Sequence, residues 1–228
     1  MTAVYSKVDK TISKYVIFSG DPWRVEVLAK MLKAPKHHAF SREFNSYTGD
    51  YNGVKVTISS TGIGAPSAAV VMEEMYENGM EVAIRMGTSM ALRDDLLGKF
   101  IIPAAADIEL VNCMNRAVLA AGMEYDNGIT CTMDGFYSQM RESHLSKERG
   151  IDMQKTYDRL RGLRAVGIDM ETSCMLTLAR LMGIRGCVVT MVTVLENLKA
   201  VLAGAERSQA EELLCRVVLD GIVLLNSN

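Results

Sequence analysis

The feature that most constrains the fold of this chain is an alternation of short β-rich runs with longer segments whose apolar residues recur at helical spacing. The runs that predict strands are Tyr15 to Ser19, Val54 to Ser59, Val82 to Met86, Phe100 to Ala105, Ile129 to Cys131, Ala165 to Ile168 and Gly186 to Val194. The segments that predict helices are Pro22 to Leu32, Pro66 to Asn78, Asn112 to Ala121, Glu171 to Met182 and Ser208 to Leu225. Strands that alternate with helices favour a largely parallel sheet covered by helices on both faces.

One segment departs from this alternation. Ala39 to Tyr51 is followed by Asn52-Gly53, a pair preferred in tight hairpin turns, so it predicts an antiparallel excursion and a mixed sheet. A chain of 228 residues can bury one full core. No repeat or linker divides it, and we expect residues 1–228 to form a single three-layer α/β/α domain.

Composition limits the partners of the chain. It has 25 Lys and Arg against 27 Asp and Glu, so it lacks the basic excess that nucleic acid binding requires. No apolar run approaches the roughly 18 residues of a transmembrane helix, and the first ten residues have no apolar core of a signal peptide. We therefore expect a soluble, cytoplasmic protein that binds neither nucleic acid nor membrane.

The cysteines are scattered without CxxC pairs, and most lie in apolar stretches where a thiol behaves as a small hydrophobe. We expect buried, reduced thiols. A nucleophilic cysteine paired in space with a histidine is the alternative. The cysteines are Cys113, Cys131, Cys174, Cys187 and Cys215, and the histidines are His37, His38 and His144.

Because ligands of open α/β sheets collect beyond the carboxyl ends of strands, the strand ends are the first places to search for chemistry. After the first strand, Asp21 can cap a helix and Pro22 suits its first position. Gly20 lets a backbone N–H approach an anion, and Arg24 lies one helical turn away. The alternative is an ordinary capped helix with an exposed arginine.

The third predicted strand contains Arg85 within an apolar run, followed by Gly87 and Thr88. A core arginine is costly unless it pairs with an anion. The partner of Arg85 is therefore either a bound phosphate or an internal carboxylate.

Two further junctions carry candidate residues. Ser60 to Ser67 is glycine-rich and superficially similar to a dinucleotide fingerprint, but Ser67 replaces the third glycine and Glu81 precedes a strand, so NAD is not expected. Gly167 to Thr172 places two carboxylates and a methionine before a helix. The carboxylates would either bind sugar hydroxyls or stabilise the helix through its dipole.

Together these junctions resemble the nucleoside phosphorylase family of the hexameric type, and in particular its uridine phosphorylase branch. The resemblance covers residues 15 to 195. The motifs that carry it are Gly20-Asp21-Pro22-x-Arg24-Val25-Glu26, Ser41-Arg42-Glu43-Phe44, Ser60-Thr61-Gly62-Ile63-Gly64, Arg85-Met86-Gly87-Thr88 and Asp169-Met170-Glu171.

The resemblance implies a nucleoside phosphorylase-like fold with inorganic phosphate as co-substrate and no organic cofactor. It implies that phosphate is bound by Gly20, Arg24, Arg85 and Thr88, joined by Arg42 from a neighbouring subunit. A homodimer with shared active sites, or a hexamer of three such dimers, would follow.

For the nucleoside, the resemblance assigns ribose to Thr88, Met170, Glu171 and Asp169, where Asp169 replaces a more usual Glu, and it assigns the base to an aromatic loop. That loop, Phe136-Tyr137-Ser138-Gln139-Met140-Arg141, looks like the family's Phe-Tyr-x-x-Gln-x-Arg insertion shortened by one residue. Phe136 would pack on the nucleoside, and Gln139 and Arg141 would bind uracil. Arg24, Arg85, Gln139 and Arg141 are then the expected catalytic residues.

The expected reaction is the phosphorolysis of uridine, and of 2′-deoxyuridine, for pyrimidine salvage. Purine enzymes of the family offer an Asp after the penultimate strand, and Thr193 to Asn197 has none at that place. The alternatives are a purine or methylthioadenosine phosphorylase, a nucleosidase, and a catalytically silent nucleoside-binding homologue. An unrelated α/β domain would require several independent motif matches to coincide.

The resemblance also implies a cation site between subunits. Glu43, Ile63 and Ser67 match positions where some uridine phosphorylases hold a metal ion, and all-oxygen ligands suit potassium or calcium.

The chain departs from the family pattern in four places. It is shorter around Asp107 to Val111, lacks the N-terminal histidine that contacts ribose, has Asn197 for an arginine, and has Ser89-Met90 for Thr-Gly.

Overall fold

The structure is a computed structural model that describes residues 3–102 and 106–227. The strands are β1 (Tyr15–Ser19), β2 (Lys33–Ser41), β3 (Phe44–Tyr51), β4 (Val54–Ser60), β5 (Val82–Ala91), β6 (Phe100–Ile101), β7 (Tyr125–Asp126), β8 (Ile129–Thr132), β9 (Ala165–Asp169) and β10 (Arg185–Leu195). The helices are α1 (Pro22–Ala29), α2 (Ala65–Glu77), α3 (Ile108–Ala120), α4 (His144–Glu148), α5 (Met153–Gly162), α6 (Thr172–Leu181) and α7 (Gly204–Asn226). None of the helices in these ranges is both long enough and apolar enough to cross a membrane.

The described strands form one mixed sheet. Its order is β2-β3-β4-β1-β5-β10-β6-β7, and β9 adds to it by pairing with β5 and β8. The centre is parallel, since β1 pairs with β4 and β5, and β5 pairs with β10. Antiparallel pairs join β2 to β3, β3 to β4, β10 to β6 and β5 to β9. The predicted α/β class with a mixed sheet is confirmed.

Helices cover both faces of the sheet, and the alternation of side chains along β1 shows how. Ile17 packs into a core built with α1, α3 and α7, whereas Val16 and Phe18 pack into a second core built with α2 and α6. All three side chains are fully buried. A strand buried on both faces reads as a continuous apolar run, which is why β1 was recognisable from sequence.

The antiparallel excursion is larger than expected. The structure shows a hairpin in which β2 and β3 turn at Arg42, and the Asn52-Gly53 turn then leads into β4. Asn52 and Gly53 have φ of 51° and 83°, and a type I′ hairpin turn requires positive φ at both of these positions. The strand β2 was not predicted because most of it is exposed and shows no alternation.

Other boundaries moved as well. The strand β5 continues to Ala91, beyond the predicted end at Met86, because β10 and the antiparallel β9 both pair with its second half. The helices α4 and α5 were not predicted. Phe100 and Ile101 form a strand as expected, but residues 103–105 of that prediction lie outside the described residues.

Close packing between β10 and α6 generates a stability prediction. A Cβ at Gly186 would lie 2.5 Å from the Ala179 Cβ, a backbone-fixed atom that cannot rotate away. We expect Gly186→Ala to lower the free energy of unfolding by about 1–3 kcal/mol through overpacking. Urea unfolding of the variant measures this.

The matched control is Gly162→Ala at the end of α5, where an added Cβ meets no atom within 4 Å. The control should be neutral or slightly stabilising, since alanine favours helix by about 1 kcal/mol over glycine. Equal unfolding curves for the two variants would contradict the packing argument.

Candidate active site

A cavity of about 880 Å³ opens beyond the carboxyl ends of β1 and β4 and alongside β5. The sheet brings the strand-end junctions singled out in the sequence to this one place. Its lining comprises Gly20, Asp21, Pro22, Arg24, Glu43, Gly62, Ile63, Arg85, Gly87 to Met90, Phe136, Tyr137, Met140, Ile168 to Glu171, Thr193, Val194 and Arg207. Of the expected site residues, Gln139, Arg141, Arg42 and Ser67 do not line it.

Two buried arginines lie at one end of the cavity. Arg24 is 7 % exposed and Arg85 is 5 % exposed. The Arg24 Nη2 donates to Glu211 Oε1 at 2.9 Å, and its Nη1 donates to Ser19 Oγ at 3.4 Å. Three buried nitrogens, Arg24 Nε, Arg85 Nε and Arg85 Nη1, have no hydrogen-bond acceptor in the described part of the chain. Buried donors without acceptors are costly, so their presence beside a cavity indicates a site for an anion.

Arg85 also has carboxylate neighbours. Its Nη2 donates to Glu171 Oε2, and its Nη1 lies 3.5 Å from Asp169 Oδ2. The other oxygen of Glu171 accepts from the backbone N–H of Gly64 at 2.7 Å. The interpretation that Arg85 pairs with an internal carboxylate therefore describes part of its environment, and its Nε and Nη1 remain without a hydrogen-bond acceptor among the described residues.

The two carboxylates before α6 have different roles in the structure. Asp169 accepts from Thr132 Oγ1 at 3.0 Å, and from both the backbone N–H and the hydroxyl of Thr172. Its oxygens thus hold the first turn of α6 to β8. Among the described residues, Glu171 accepts hydrogen bonds from Arg85 and Gly64 alone, and it lines the cavity with Met170.

The glycine-rich turn has a structural explanation that involves no dinucleotide. Gly62 and Gly64 have φ of 70° and 94°, a backbone region that side chains disfavour. A Cβ at Gly62 would lie 2.7 Å from Glu43 Cγ. The turn therefore needs glycine to approach Glu43 closely and to direct the Gly64 N–H at Glu171.

The opposite end of the cavity has apolar walls. Phe136 and Tyr137 contact edge-to-face with ring centroids 5.0 Å apart, and both line the cavity with Met140. Gln139 lies outside, with its Oε1 accepting from the Gly135 N–H at 2.8 Å. Arg141 lies beside the two rings, 6.0 Å and 5.6 Å from their centroids.

The residues expected at a subunit interface lie at the outer edge of the site. Arg42 stacks on the Tyr5 ring at 5.0 Å. Ser67 Oγ donates to Glu43 Oε1 at 2.8 Å, so two of the three expected cation ligands are adjacent. No group of three or more His, Cys, Asp or Glu side chains within 3–102 and 106–227 could hold a metal ion.

Sequence reasoning missed Arg207, which reaches the cavity from the first turn of α7. The prediction began this helix at Ser208 because residues 204–209 are exposed and lack apolar periodicity. Near Asp107 the chain is shorter than the family pattern. There the Asp107 side chain caps α3, and its Oδ1 pairs with Arg185 Nη2 at 3.0 Å.

The cysteine thiols are not activated. Desolvation raises the pKa of each of the five thiols, to about 12 for Cys187 and Cys215. A thiol with a raised pKa is neutral and weakly nucleophilic near neutral pH. The geometry thus favours the reading of reduced structural cysteines.

Residues 14–106 and 100–220 match the model of the phosphorylase superfamily. The chain belongs to this superfamily. The two matched stretches overlap at residues 100–106, shortly before α3. The predicted resemblance and an enzyme of the nucleoside phosphorylase type are confirmed.

The curated relatives of this phosphorylase include enzymes named for pyrimidine and for purine nucleosides. The chain is 32 % identical to a uridine phosphorylase of Thermococcus kodakarensis, over 78 % of this chain and 72 % of the relative. It is 30 % identical to a uridine phosphorylase of Haemophilus influenzae, over 89 % of both chains. It is 27 % identical to a guanosine phosphorylase of Halorubrum lacusprofundi, over 79 % of this chain and 78 % of the relative.

Solved structures share the fold. A purine nucleoside phosphorylase from Toxoplasma gondii, solved with immucillin-H, superposes with a TM-score of 0.85 at 24 % identity over 100 % of this chain and 98 % of that one. A uridine phosphorylase from Vibrio fischeri superposes with a TM-score of 0.83 at 24 % identity over 98 % and 97 %. The expected nucleoside phosphorylase-like fold is confirmed.

The closeness of Gly87 to Arg85 generates a prediction about the anion site. A Cβ at Gly87 would overlap the Arg85 guanidinium. We expect Gly87→Ala to displace that guanidinium and to weaken phosphate binding by about tenfold, the effect of roughly one charge-assisted hydrogen bond. Thermal stabilisation by inorganic phosphate measures this, with Gly162→Ala as the control; equal stabilisation of both variants would contradict it.

Proposed function

We propose that this phosphorylase cleaves uridine with inorganic phosphate, giving uracil and ribose 1-phosphate, and that it accepts 2′-deoxyuridine. The observation that carries the proposal is the pair of buried arginines with unused N–H groups beside the cavity-lining Glu171. In this reaction a phosphate oxygen bonds to C1′ while the C1′–N1 bond breaks. The electron pair of that bond goes to uracil.

The buried arginines support the phosphate half of the reaction. Phosphate held by Arg24 and Arg85, with the N–H of Gly20 and the hydroxyl of Thr88, would lie beneath C1′ and stabilise positive charge on the ribose. Those donors come from β5, from α1 and from the junction between β1 and α1. Because they are fixed by rigid elements, little reorganisation is needed when charge develops.

Glu171 supports the ribose half. Its two oxygens are oriented by Arg85 and by the Gly64 N–H. A carboxylate has further lone pairs, and these can accept the 2′- and 3′-hydroxyl protons. Met170 lies next to it in the cavity lining and can pack on the apolar face of the sugar.

The absence of an acid at the base end supports a pyrimidine. Among the described cavity-lining residues, no carboxylate follows β10. Glu196, the carboxylate nearest that strand's end, is 1 % exposed and is ion-paired with Arg161 and Lys199. A paired, buried carboxylate outside the cavity is poorly placed to protonate N7 of a purine.

The base itself would be bound by Phe136, Gln139 and Arg141. Phe136 already lines the cavity, whereas the Gln139 amide has one hydrogen bond within the described part of the chain, an exposed one from Gly135, to break before it can turn inward. The buried Arg141 Nε has no acceptor among the described residues. Arg141 therefore has a donor to offer to a uracil carbonyl.

A purine nucleoside is the second candidate, and the observation that favours it is the guanosine phosphorylase relative. The apolar walls of Phe136, Tyr137 and Met140 would accept a purine ring as well. The assay below separates the two.

We expect the protein to release uracil from uridine only when phosphate is present. Arg85→Ala should lower kcat/KM by about 100-fold or more, as removal of a donor to developing charge does in other enzymes. Arg93→Ala is the control, because Arg93 is an exposed arginine paired with Asp95 and Asp126 away from the cavity. Chromatography of free base from uridine, 2′-deoxyuridine, thymidine, inosine and guanosine provides the measurement.

Other outcomes are informative. Base release without phosphate would make the protein a nucleosidase. Cleavage of inosine or guanosine alone would show that the base assignment is wrong. Uridine binding with no cleavage would identify a silent homologue.

We further propose that the enzyme is a homodimer with shared active sites. Trp23 is 66 % exposed, and it contacts the half-exposed Phe40 edge-to-face. Ile63 is 78 % exposed at the rim of the cavity, beside Glu43. An apolar surface next to a site is typical of an interface. Across it Arg42 would reach the partner's phosphate, and Glu43, Ile63 and Ser67 would bind a potassium or calcium ion.

A complementation experiment tests the shared site. Arg42→Ala and Arg85→Ala should each be nearly inactive, because one lacks the donated arginine and the other lacks the resident arginine. A mixed dimer contains one site with both arginines, so co-expression of differently tagged subunits should restore up to about half of the wild-type activity per dimer. Full activity of Arg42→Ala alone, or no recovery in purified mixed dimers, would contradict the proposal.

A further inference from the structure

Arg207 lines the cavity but has no role in the reaction described above. It lies in the first turn of α7, a helix of 23 residues. A helix of this length presents a partial positive charge at its N-terminus. The position of Arg207 therefore adds a full charge to an end of the helix that already attracts anions.

The hydrogen bonds of Arg207 place it next to the buried arginine of α1. Its Nε donates to Glu211 Oε1 at 3.2 Å, and the same oxygen accepts from Arg24 Nη2 at 2.9 Å. Two guanidinium groups thus converge on one carboxylate oxygen. Because Glu211 has one formal negative charge between two guanidinium groups, these three side chains together have a formal net charge of +1, which an anion would complement.

The remaining donors of Arg207 are unused. Its terminal Nη groups form no hydrogen bond or ion pair with any residue in the ranges 3–102 and 106–227. The side chain is 49 % exposed, so it can adjust when a ligand enters. The buried Arg24 Nε is also without an acceptor among those residues. Each arginine therefore keeps an unsatisfied N–H donor, and both residues line the same cavity.

We propose that Arg207 is a further phosphate-binding residue of this enzyme, with Glu211 holding it beside Arg24. The inference rests on the proposed phosphorolysis for its ligand, inorganic phosphate. Arg207 donates to phosphate oxygens from the α7 side, whereas Arg24 and Arg85 donate from α1 and β5.

The experiment titrates the full-length protein with inorganic phosphate by isothermal calorimetry, without nucleoside. Arg207→Gln should raise the dissociation constant for phosphate about fivefold or more, the effect of losing one charge-assisted contact at a half-exposed site. Arg207→Lys should lose less, because lysine keeps the charge but not the two-pronged donor.

The matched control is Arg216→Gln. Arg216 lies on the same helix and pairs with Glu212 four residues away, but it is 56 % exposed and does not line the cavity. Its phosphate dissociation constant should stay within about twofold of wild type, since a surface pair contributes little. Thermal unfolding in phosphate-free buffer verifies that all variants are folded.

Steady-state kinetics provide a second measurement. Arg207→Gln should raise the KM for phosphate and leave the KM for the nucleoside within about twofold. An unchanged phosphate dissociation constant in Arg207→Gln would overturn the inference, and so would a rise in the nucleoside KM alone, which would assign Arg207 to the nucleoside.

The calorimetric result is independent of turnover. Wild-type protein that binds phosphate but cleaves no nucleoside would refute the proposed reaction, while the loss of phosphate affinity in Arg207→Gln would still support the role of Arg207. Wild-type protein that binds no phosphate would overturn both.

Discussion

The ion pair between Arg85 and Glu171 is the interaction on which the rest of the site depends. Burying either charge alone would cost several kcal/mol, and here the two are buried together with Asp169 beside them. The pair connects the middle of β5 to the junction between β9 and α6. Through Glu171 it also reaches the glycine turn after β4, because Gly64 donates its N–H to the second carboxylate oxygen. The middle of β5 and the ends of β9 and β4 are thereby fixed relative to one another before a substrate enters.

This arrangement couples the two substrates that we propose. Arg85 would bind phosphate with the N–H groups that Glu171 leaves free, and Glu171 would bind ribose with the lone pairs that Arg85 and Gly64 leave free. In that proposal, one salt bridge would set the distance between the nucleophile and the sugar. Most of this geometry is carried by strands and helix starts, which position groups more precisely than loops do.

The base end of the cavity is built differently. Phe136, Tyr137 and Met140 come from a short π-helical turn between β8 and α4. The polar groups expected to bind the base have local contacts, since Gln139 accepts from Gly135 and Arg141 lies beside the two rings. Sequence reasoning could assign Gln139 and Arg141 to the base through a motif, but a motif carries no information about side-chain direction. Orientation depends on which partner is available, and Gln139 finds one in the backbone of Gly135.

The sequence by itself determined the α/β class, the mixed sheet with its Asn52-Gly53 turn, the strand-end junctions and the likeness to a phosphorylase, since periodicity, turn chemistry and capping are local properties. Only the tertiary structure decided how those junctions meet. The length of β5 follows from its pairing with β10 and β9, and the neighbourhood of Arg24 includes Glu211, which is 187 positions away in the chain. Such contacts arise from the register of strands and the packing of α7 against the sheet, and no local pattern encodes them because the residues that they join are far apart in the sequence.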